Sequence, residues 1–217
     1  MPFDPEKLHD KDWSETKATD AFYSESPRYH DLVKIIVGQC PKIILDVGCG
    51  SGFLSRTIKA FLPDLIVDGA DISPIALERA KNLLRHSWRV NLDQADLPAS
   101  SCAYDTAVCV EVLEHLYDPE HVLKEIHRCL KPGGRLIATV PNAVFWRYRI
   151  QSLFGHIPAP ISDPRHLHAF NAHMFKRLLH INGFHMIKLT GHRVRGKILA
   201  NLLPQLCSDI LIATAEK

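Results

Sequence analysis

Three glycines spaced two apart stand out in Leu45-Asp46-Val47-Gly48-Cys49-Gly50-Ser51-Gly52, between an apolar run and an amphipathic one. Glycine lets a chain turn sharply and lets a ligand approach with no Cβ in the way. A helix starting after Gly52 would offer unpaired N–H groups and a partial positive charge to whatever lies there. The G-x-G-x-G spacing differs from the G-x-G-x-x-G of dinucleotide binders. Asp46, two residues ahead of the first glycine, is badly placed for a pyrophosphate and suits a ligand with a cationic end, such as an amino group. Further acids follow at intervals: Asp71 in Gly69-Ala70-Asp71-Ile72-Ser73, Asp96 in Gln94-Ala95-Asp96-Leu97, and Glu111 in Glu111-Val112-Leu113-Glu114-His115-Leu116. His115, His166 and His168 are candidate proton acceptors, because imidazole titrates near neutrality.

Alternating strands and helices would position these residues. Residues 42–47, 65–71, 89–94, 106–110 and 135–140 read as strands, each a short apolar run, with 89–94 the weakest. Helices are expected over 53–62, with Leu54, Ile58, Phe61 and Leu62 on one face, and after the Ser73-Pro74 cap, with Ala76, Leu77, Ala80, Leu83 and Leu84 inward. Asp118-Pro119 starts another, which Lys131-Pro132-Gly133-Gly134 breaks. Strict β–α alternation argues for a parallel sheet covered on both faces, and the acids then fall at strand carboxyl ends, where such sheets bind ligands. Pro141 to Phe170 is irregular, with a short helix near 145–154, and an irregular stretch of that length usually serves function. Asn171 caps a further helix with Met174, Phe175, Leu178 and Ile181 inward and Gly183 as its stop, and strands are expected over 185–190 and 210–215.

Asp46-Val47-Gly48-Cys49-Gly50-Ser51-Gly52 resembles motif I of class I S-adenosylmethionine-dependent methyltransferases, Glu111 to Leu116 resembles their "EVLEHL" segment, and Lys131 to Leu136 their "LKPGG" turn. The likeness is good over about residues 30–140 and loose beyond. It implies a Rossmann-like, doubly wound, mostly parallel seven-stranded sheet with helices on both faces and the last strand antiparallel. It also implies S-adenosylmethionine as cofactor. By the same resemblance Asp46, Gly48, Cys49, Gly50 and Gly52 cradle the cofactor and Asp71 accepts from the ribose hydroxyls. Ile72 packs on the adenine ring, Asp96 meets its amino group and the Leu97 N–H meets a ring nitrogen. Glu111 and Val112 lie nearby.

One domain spanning 1–217 is expected: helices covering the cofactor in 1–40, the cofactor-binding half in 41–140, an acceptor-side insertion and helix in 141–182, and final strands in 183–217. Asn142, Phe145 and Trp146, in a "VPN" segment shared with several small-molecule methyltransferases, are expected to line the acceptor pocket, with Tyr23 and Arg28 as further contacts. The expected activity is methylation of a small molecule, most simply at oxygen, with His115, His166 or His168 as base. No metal is expected: His166-x-His168 shows no third ligand, and none of the six cysteines forms a C-x-x-C pair.

A charge of +2 from 26 basic and 24 acidic side chains gives no reason to expect a nucleic-acid partner. The basic cluster of Arg193, Arg195 and Lys197 reads as solvated surface. No apolar stretch is long enough to span a bilayer and residues 1–11 are polar, so a cytoplasmic protein is expected. Oligomeric state is left open. Two alternatives stand beside the methyltransferase: an NAD-dependent oxidoreductase, disfavoured by Asp46 and the glycine spacing, and a cofactor-binding partner protein with little catalysis.

Overall fold

The computed structural model describes residues 27–192 and 203–217. In chain order these form α1 (Pro27–Val37), β1 (Ile43–Val47), α2 (Phe53–Lys59), β2 (Ile66–Asp71), α3 (Pro74–Ala80), β3 (Ser87–Arg89) and β4 (Tyr104–Val110). A 3₁₀ turn (Leu113–His115), α4 (Pro119–Cys129), β5 (Leu130–Pro141), α5 (Trp146–Leu153) and the one-turn α6 (Ala159–Ser162) follow. Then come α7 (Ala172–Ile181), β6 (His185–Gly191), the one-turn α8 (Pro204–Cys207) and β7 (Ile210–Glu216).

The sheet order is β3-β2-β1-β4-β5-β7-β6. β1 pairs parallel with both β2 and β4, while β7 runs antiparallel between β5 and β6. The strand order therefore reverses beside β1, and the crevice at the carboxyl ends of β1 and β4 is where open α/β sheets take ligands. This is the seven-stranded Rossmann-like architecture, with its last strand antiparallel, that the resemblance implied.

Successive strand residues face opposite sides, and both sides are packed. Leu45, Val47, Ala107, Cys109, Leu136 and Ala138 meet Val122, Leu123 and Ile126 of α4 and Phe175 and Leu179 of α7. Ile44, Val67, Val108 and Ile137 meet Leu32, Val33 and Ile36 of α1, Leu54 and Ile58 of α2, and Leu77 of α3. Burial of each such leucine or isoleucine contributes about 1.5–3 kcal/mol. Three helix starts follow the sequence signals: Ser73 Oγ accepts from the Ala76 N–H at 3.2 Å, Asp118 from His121 at 3.1 Å and Asn171 from Met174 at 2.9 Å.

Several boundaries differ from expectation. β3 occupies 87–89, not 89–94, because Asn91 opens a turn: its Oδ1 accepts from the Asp93 N–H at 3.1 Å and its carbonyl from Gln94 and Ala95. α2 stops at Lys59, leaving Phe61 64% exposed rather than on a buried face. α3 stops at Ala80, and Leu84 packs from the turn beyond it. On α7, Phe175 and Leu179 are buried, whereas Met174 and Ile181 face outward. β5 begins at Leu130, with the Lys131–Gly134 segment bulged out between the Tyr104–Leu130 and Thr106–Arg135 pairs.

Candidate active site

The glycine loop joins β1 to α2 at the reversal point. Gly48, Gly50 and Gly52 have φ of +73°, +51° and +74°, in the left-handed region that favours glycine. The loop folds toward the end of β2, with the Gly48 and Cys49 N–H groups donating to the Ala70 carbonyl at 2.8 and 3.1 Å. The glycines also admit neighbouring side chains. A Cβ on Gly48 would lie 2.3 Å from Val112 Cγ2, and one on Gly52 2.9 Å from Leu83 Cδ1. Val112, on the loop leaving β4, is thereby pressed against the loop leaving β1.

Asp71 closes the same cleft from the end of β2. Its Oδ2 accepts from the Gly50 N–H at 2.8 Å and its Oδ1 from the Ser73 N–H at 2.9 Å, so a half-exposed carboxylate is held in one orientation. Ile72 beside it is half-exposed. Asp46 is buried beneath the loop and accepts from Ser55 Oγ at 2.7 Å. Burial pushes its carboxyl up to about 7; the Ser55 hydrogen bond opposes this and the Asp71 charge reinforces it. The Cys49 thiol is also driven well up, first by burial, and its sulfur packs toward Gly69, so it serves as a small hydrophobe.

The third acid is placed differently. Asp96 is 77% exposed, with Oδ1 3.5 Å from His121 Nε2. The Leu97 N–H donates to Glu125 Oε2 at 3.0 Å, and the Leu97 carbonyl accepts from Arg128 at 2.9 Å. The N–H expected to meet an adenine nitrogen is thus held by Glu125 of α4 in this structure. The nearby acid tied into the fold is Asp93, whose Oδ1 accepts from the Tyr117 and Asp118 N–H groups at 2.8 and 3.1 Å.

Glu111 sits at the end of β4 with φ +56°, a costly conformation for a side-chain-bearing residue. Thr139 holds it there, accepting from the Glu111 N–H at 3.1 Å and donating to Glu111 Oε1 at 3.2 Å. Three residues on, Glu114 is buried in the 3₁₀ turn, and its carbonyl accepts from the Leu167 and His168 N–H groups at 2.7 and 3.2 Å. The irregular segment after β5 is thus stapled to the exit of β4. His115 Nδ1 lies 3.0 Å from the Arg165 carbonyl and His166 Nδ1 3.0 Å from that of Pro160, and the two rings meet edge to face at 4.9 Å. A carbonyl only accepts, so each Nδ1 carries the hydrogen, which makes Nε2 the lone-pair nitrogen of the neutral ring. Arg165 also grips Asp163 through two hydrogen bonds of 3.0 and 2.7 Å, which hold that carboxyl far below its usual range against the opposing effect of burial. His168 rests on Phe170 with a buried Nε2.

Asn142, expected to line the acceptor pocket, brackets the chain segments around it. It is fully buried; its Nδ2 donates to the carbonyls of Gln205 at 3.0 Å and Ser208 at 2.7 Å, and its Oδ1 accepts from the Val144 N–H at 3.3 Å. Phe145 is buried against Trp146 and Tyr148, and Trp146 is exposed at the start of α5. Tyr23, the Arg28 side chain, Arg193, Arg195 and Lys197 lie outside the described residues. Sequence reasoning passed over Ser55, Asp93 and Glu114. Glu114 alone carried a signal, a second acid three residues after Glu111 and directly before His115.

A family model described as "Methyltransferase domain" matches residues 23–189. The chain belongs to the class I S-adenosylmethionine-dependent methyltransferases. Among this methyltransferase's relatives, the ubiquinone biosynthesis O-methyltransferase of Coxiella burnetii is 31% identical over 159 residues, covering 66% of this chain and 67% of that one. The malonyl-[acyl-carrier protein] O-methyltransferase of Hahella chejuensis is 34% identical over 113 residues, covering 50% and 39%. The fold is shared with the N-methyltransferase NodS of Bradyrhizobium japonicum, solved with S-adenosylhomocysteine, at a TM-score of 0.66, 15% identity and 99% coverage of both chains. S-Adenosylmethionine is the methyl donor of this enzyme, which displaces the NAD-dependent alternative. Among the described residues no helix is long and apolar enough to cross a membrane.

Proposed function

We propose that this methyltransferase acts on an oxygen of a small-molecule acceptor, with the donor lying across the carboxyl ends of β1, β2 and β4. The observation that carries the reading is the convergence of Gly48, Asp71 and Val112 on one cleft at the strand-order reversal. The residues there fit an adenosyl amino acid. A carboxylate has about four acceptor sites, so one oriented as Asp71 is by the Gly50 and Ser73 N–H groups is chemically suited to accept from ribose hydroxyls. Ile72 offers an apolar ledge for the adenine, and Asp96 is exposed on the segment that follows β3. Asp46, poised near neutrality by burial, would ionise beside a cationic amino group, since an opposite charge favours the anion.

When bound, S-adenosylmethionine supplies a methyl group on a sulfonium centre, which departs as a neutral thioether carrying the S–C electron pair. The protein aligns the acceptor oxygen with that methyl, a contribution that can reach roughly 7–11 kcal/mol. The new bond is O–CH₃, and the acceptor's hydroxyl proton must pass to a base. His115 and His166, each with Nδ1 tied to a carbonyl, present a lone pair on Nε2 for that proton. The O-methyltransferase names of the relatives support oxygen as the acceptor atom. Incubation with methyl-labelled donor and a panel of phenols, catechols, carboxylates and amines tests this reading. Label is expected on phenol or catechol oxygen; transfer to amines alone would overturn it.

A further inference from the structure

We propose that Glu114, His115 and His166 form a binding site for one divalent cation on the acceptor side of the cleft. One carboxylate oxygen of Glu114 and one ring nitrogen from each histidine lie within 4.8 Å of one another. A cation bonded at about 2.0–2.2 Å holds its ligand atoms roughly 3–3.5 Å apart, so small side-chain rotations close the set. Both imidazoles already have the outer support that metal-binding histidines use: a backbone carbonyl holds Nδ1, which fixes the tautomer and turns Nε2 into the ligand. Glu114 is only 1% exposed, so bulk water does not compete with it for a cation as it does at a surface carboxylate.

The three ligands come from two elements that are stapled together without any metal. Glu114 and His115 belong to the turn after β4, and His166 to the irregular segment after β5, whose Leu167 and His168 N–H groups donate to the Glu114 carbonyl. Backbone bonds thus preorganise ligands that lie far apart in sequence. Asp163 is the competing partner, with Oδ2 3.9 Å from His166 Nε2, beyond hydrogen-bond length, and its charge is met by the forked Arg165 contact. His168, which the H-x-H spacing suggested, is not in the set. Two imidazoles and one carboxylate suit zinc, cobalt, manganese or iron(II) better than magnesium or calcium. Three protein ligands leave positions for an outside oxygen, as in metal sites that act on substrates.

The location deepens the proposed function and rests on it for the identity of that oxygen. His115 donates its backbone N–H to the Val112 carbonyl at 2.9 Å, and Val112 touches Gly48, so the cluster stands one turn from the donor cleft. A cation here would occupy the two Nε2 lone pairs and so replace the histidines as the means of ionising the acceptor: it would take the hydroxyl oxygen as a ligand, favour its ionised form and release the proton to water.

Cobalt(II) titrated into the metal-stripped full chain tests the site, read by visible d–d absorption and by calorimetry. One saturable site per chain is expected, weakened about tenfold or more in His166→Gln and in Glu114→Gln and unchanged in the exposed control His173→Gln. S-Adenosylhomocysteine binding, measured by thermal shift, confirms that each variant is folded. No saturable cobalt site in the unmodified protein would overturn the proposal. So would thiolate-to-cobalt charge-transfer bands, which would assign the metal to cysteine, or equal affinity in folded His166→Gln. Cobalt binding without transfer to any hydroxyl would sink the acceptor reading and leave the metal site standing.

Discussion

Gly48 and Gly133 share a φ of +73° but differ in surroundings, which allows two costs to be separated. An alanine at either position takes the left-handed conformation, at about 1–2 kcal/mol. At Gly133 nothing lies within 4 Å of the added methyl, so that cost stands alone. At Gly48 the methyl would sit 2.3 Å from Val112 Cγ2, far inside van der Waals contact. Val112 is fastened to the 3₁₀ turn through His115, so relief requires the β1 and β4 exits to part. Overpacking of this kind costs a further ~1–3 kcal/mol. Gly48→Ala is therefore expected to be destabilised by about 2–5 kcal/mol and Gly133→Ala by about 1–2. For a chain of this size the difference corresponds to roughly 2–12 °C in melting temperature. Urea unfolding of both variants beside the unmodified protein measures it. The same parting should loosen the donor cleft, so Gly48→Ala should also bind S-adenosylhomocysteine more weakly while Gly133→Ala does not. Equal destabilisation of the two variants would refute the claim that Gly48 exists to admit Val112.

Asp46 makes the protein's stability depend on pH in a stated direction. Its folded carboxyl titrates near 7, above the ordinary carboxylate range near 4, so the folded state holds a proton that the unfolded state releases. Its contribution is fully present below about pH 4 and is lost as pH rises through 7; Asp46→Asn should flatten that fall, as read from urea midpoints between pH 5 and 8. Asn142→Ala should cost about 2–4 kcal/mol, because two carbonyls at the entrance to β7 lose their donor. Differential unfolding checks it, and a variant of unchanged stability with a raised acceptor KM would assign Asn142 to the pocket instead.

The parts of this molecule that were legible beforehand are those that local chemistry dictates. Ser73, Asp118 and Asn171 cap helices through bonds to residues three positions away, so type and spacing sufficed. Gly48, Gly50 and Gly52 announce themselves because few other residues tolerate their φ. The β3 boundary failed for a local reason of another kind: Asn91 prefers its own turn to a strand, and the apolar Leu92 disguised it. What could not be read depends on partners far along the chain. Asn142 finds its carbonyls 63 and 66 residues away, and His115 finds the Arg165 carbonyl fifty residues on. The Leu97 N–H looked available because nothing near it in sequence showed that Glu125 would claim it.

Calorimetric titration of S-adenosylhomocysteine into the unmodified protein and into Asp71→Ala bears most directly on the cleft formed by Gly48, Asp71 and Val112. The unmodified protein should bind one equivalent, and the variant should bind about tenfold to 150-fold more weakly, the loss of charge-assisted hydrogen bonds worth ~1.5–3 kcal/mol. Equal affinity in a folded Asp71→Ala protein would contradict it and move the donor to another part of the sheet.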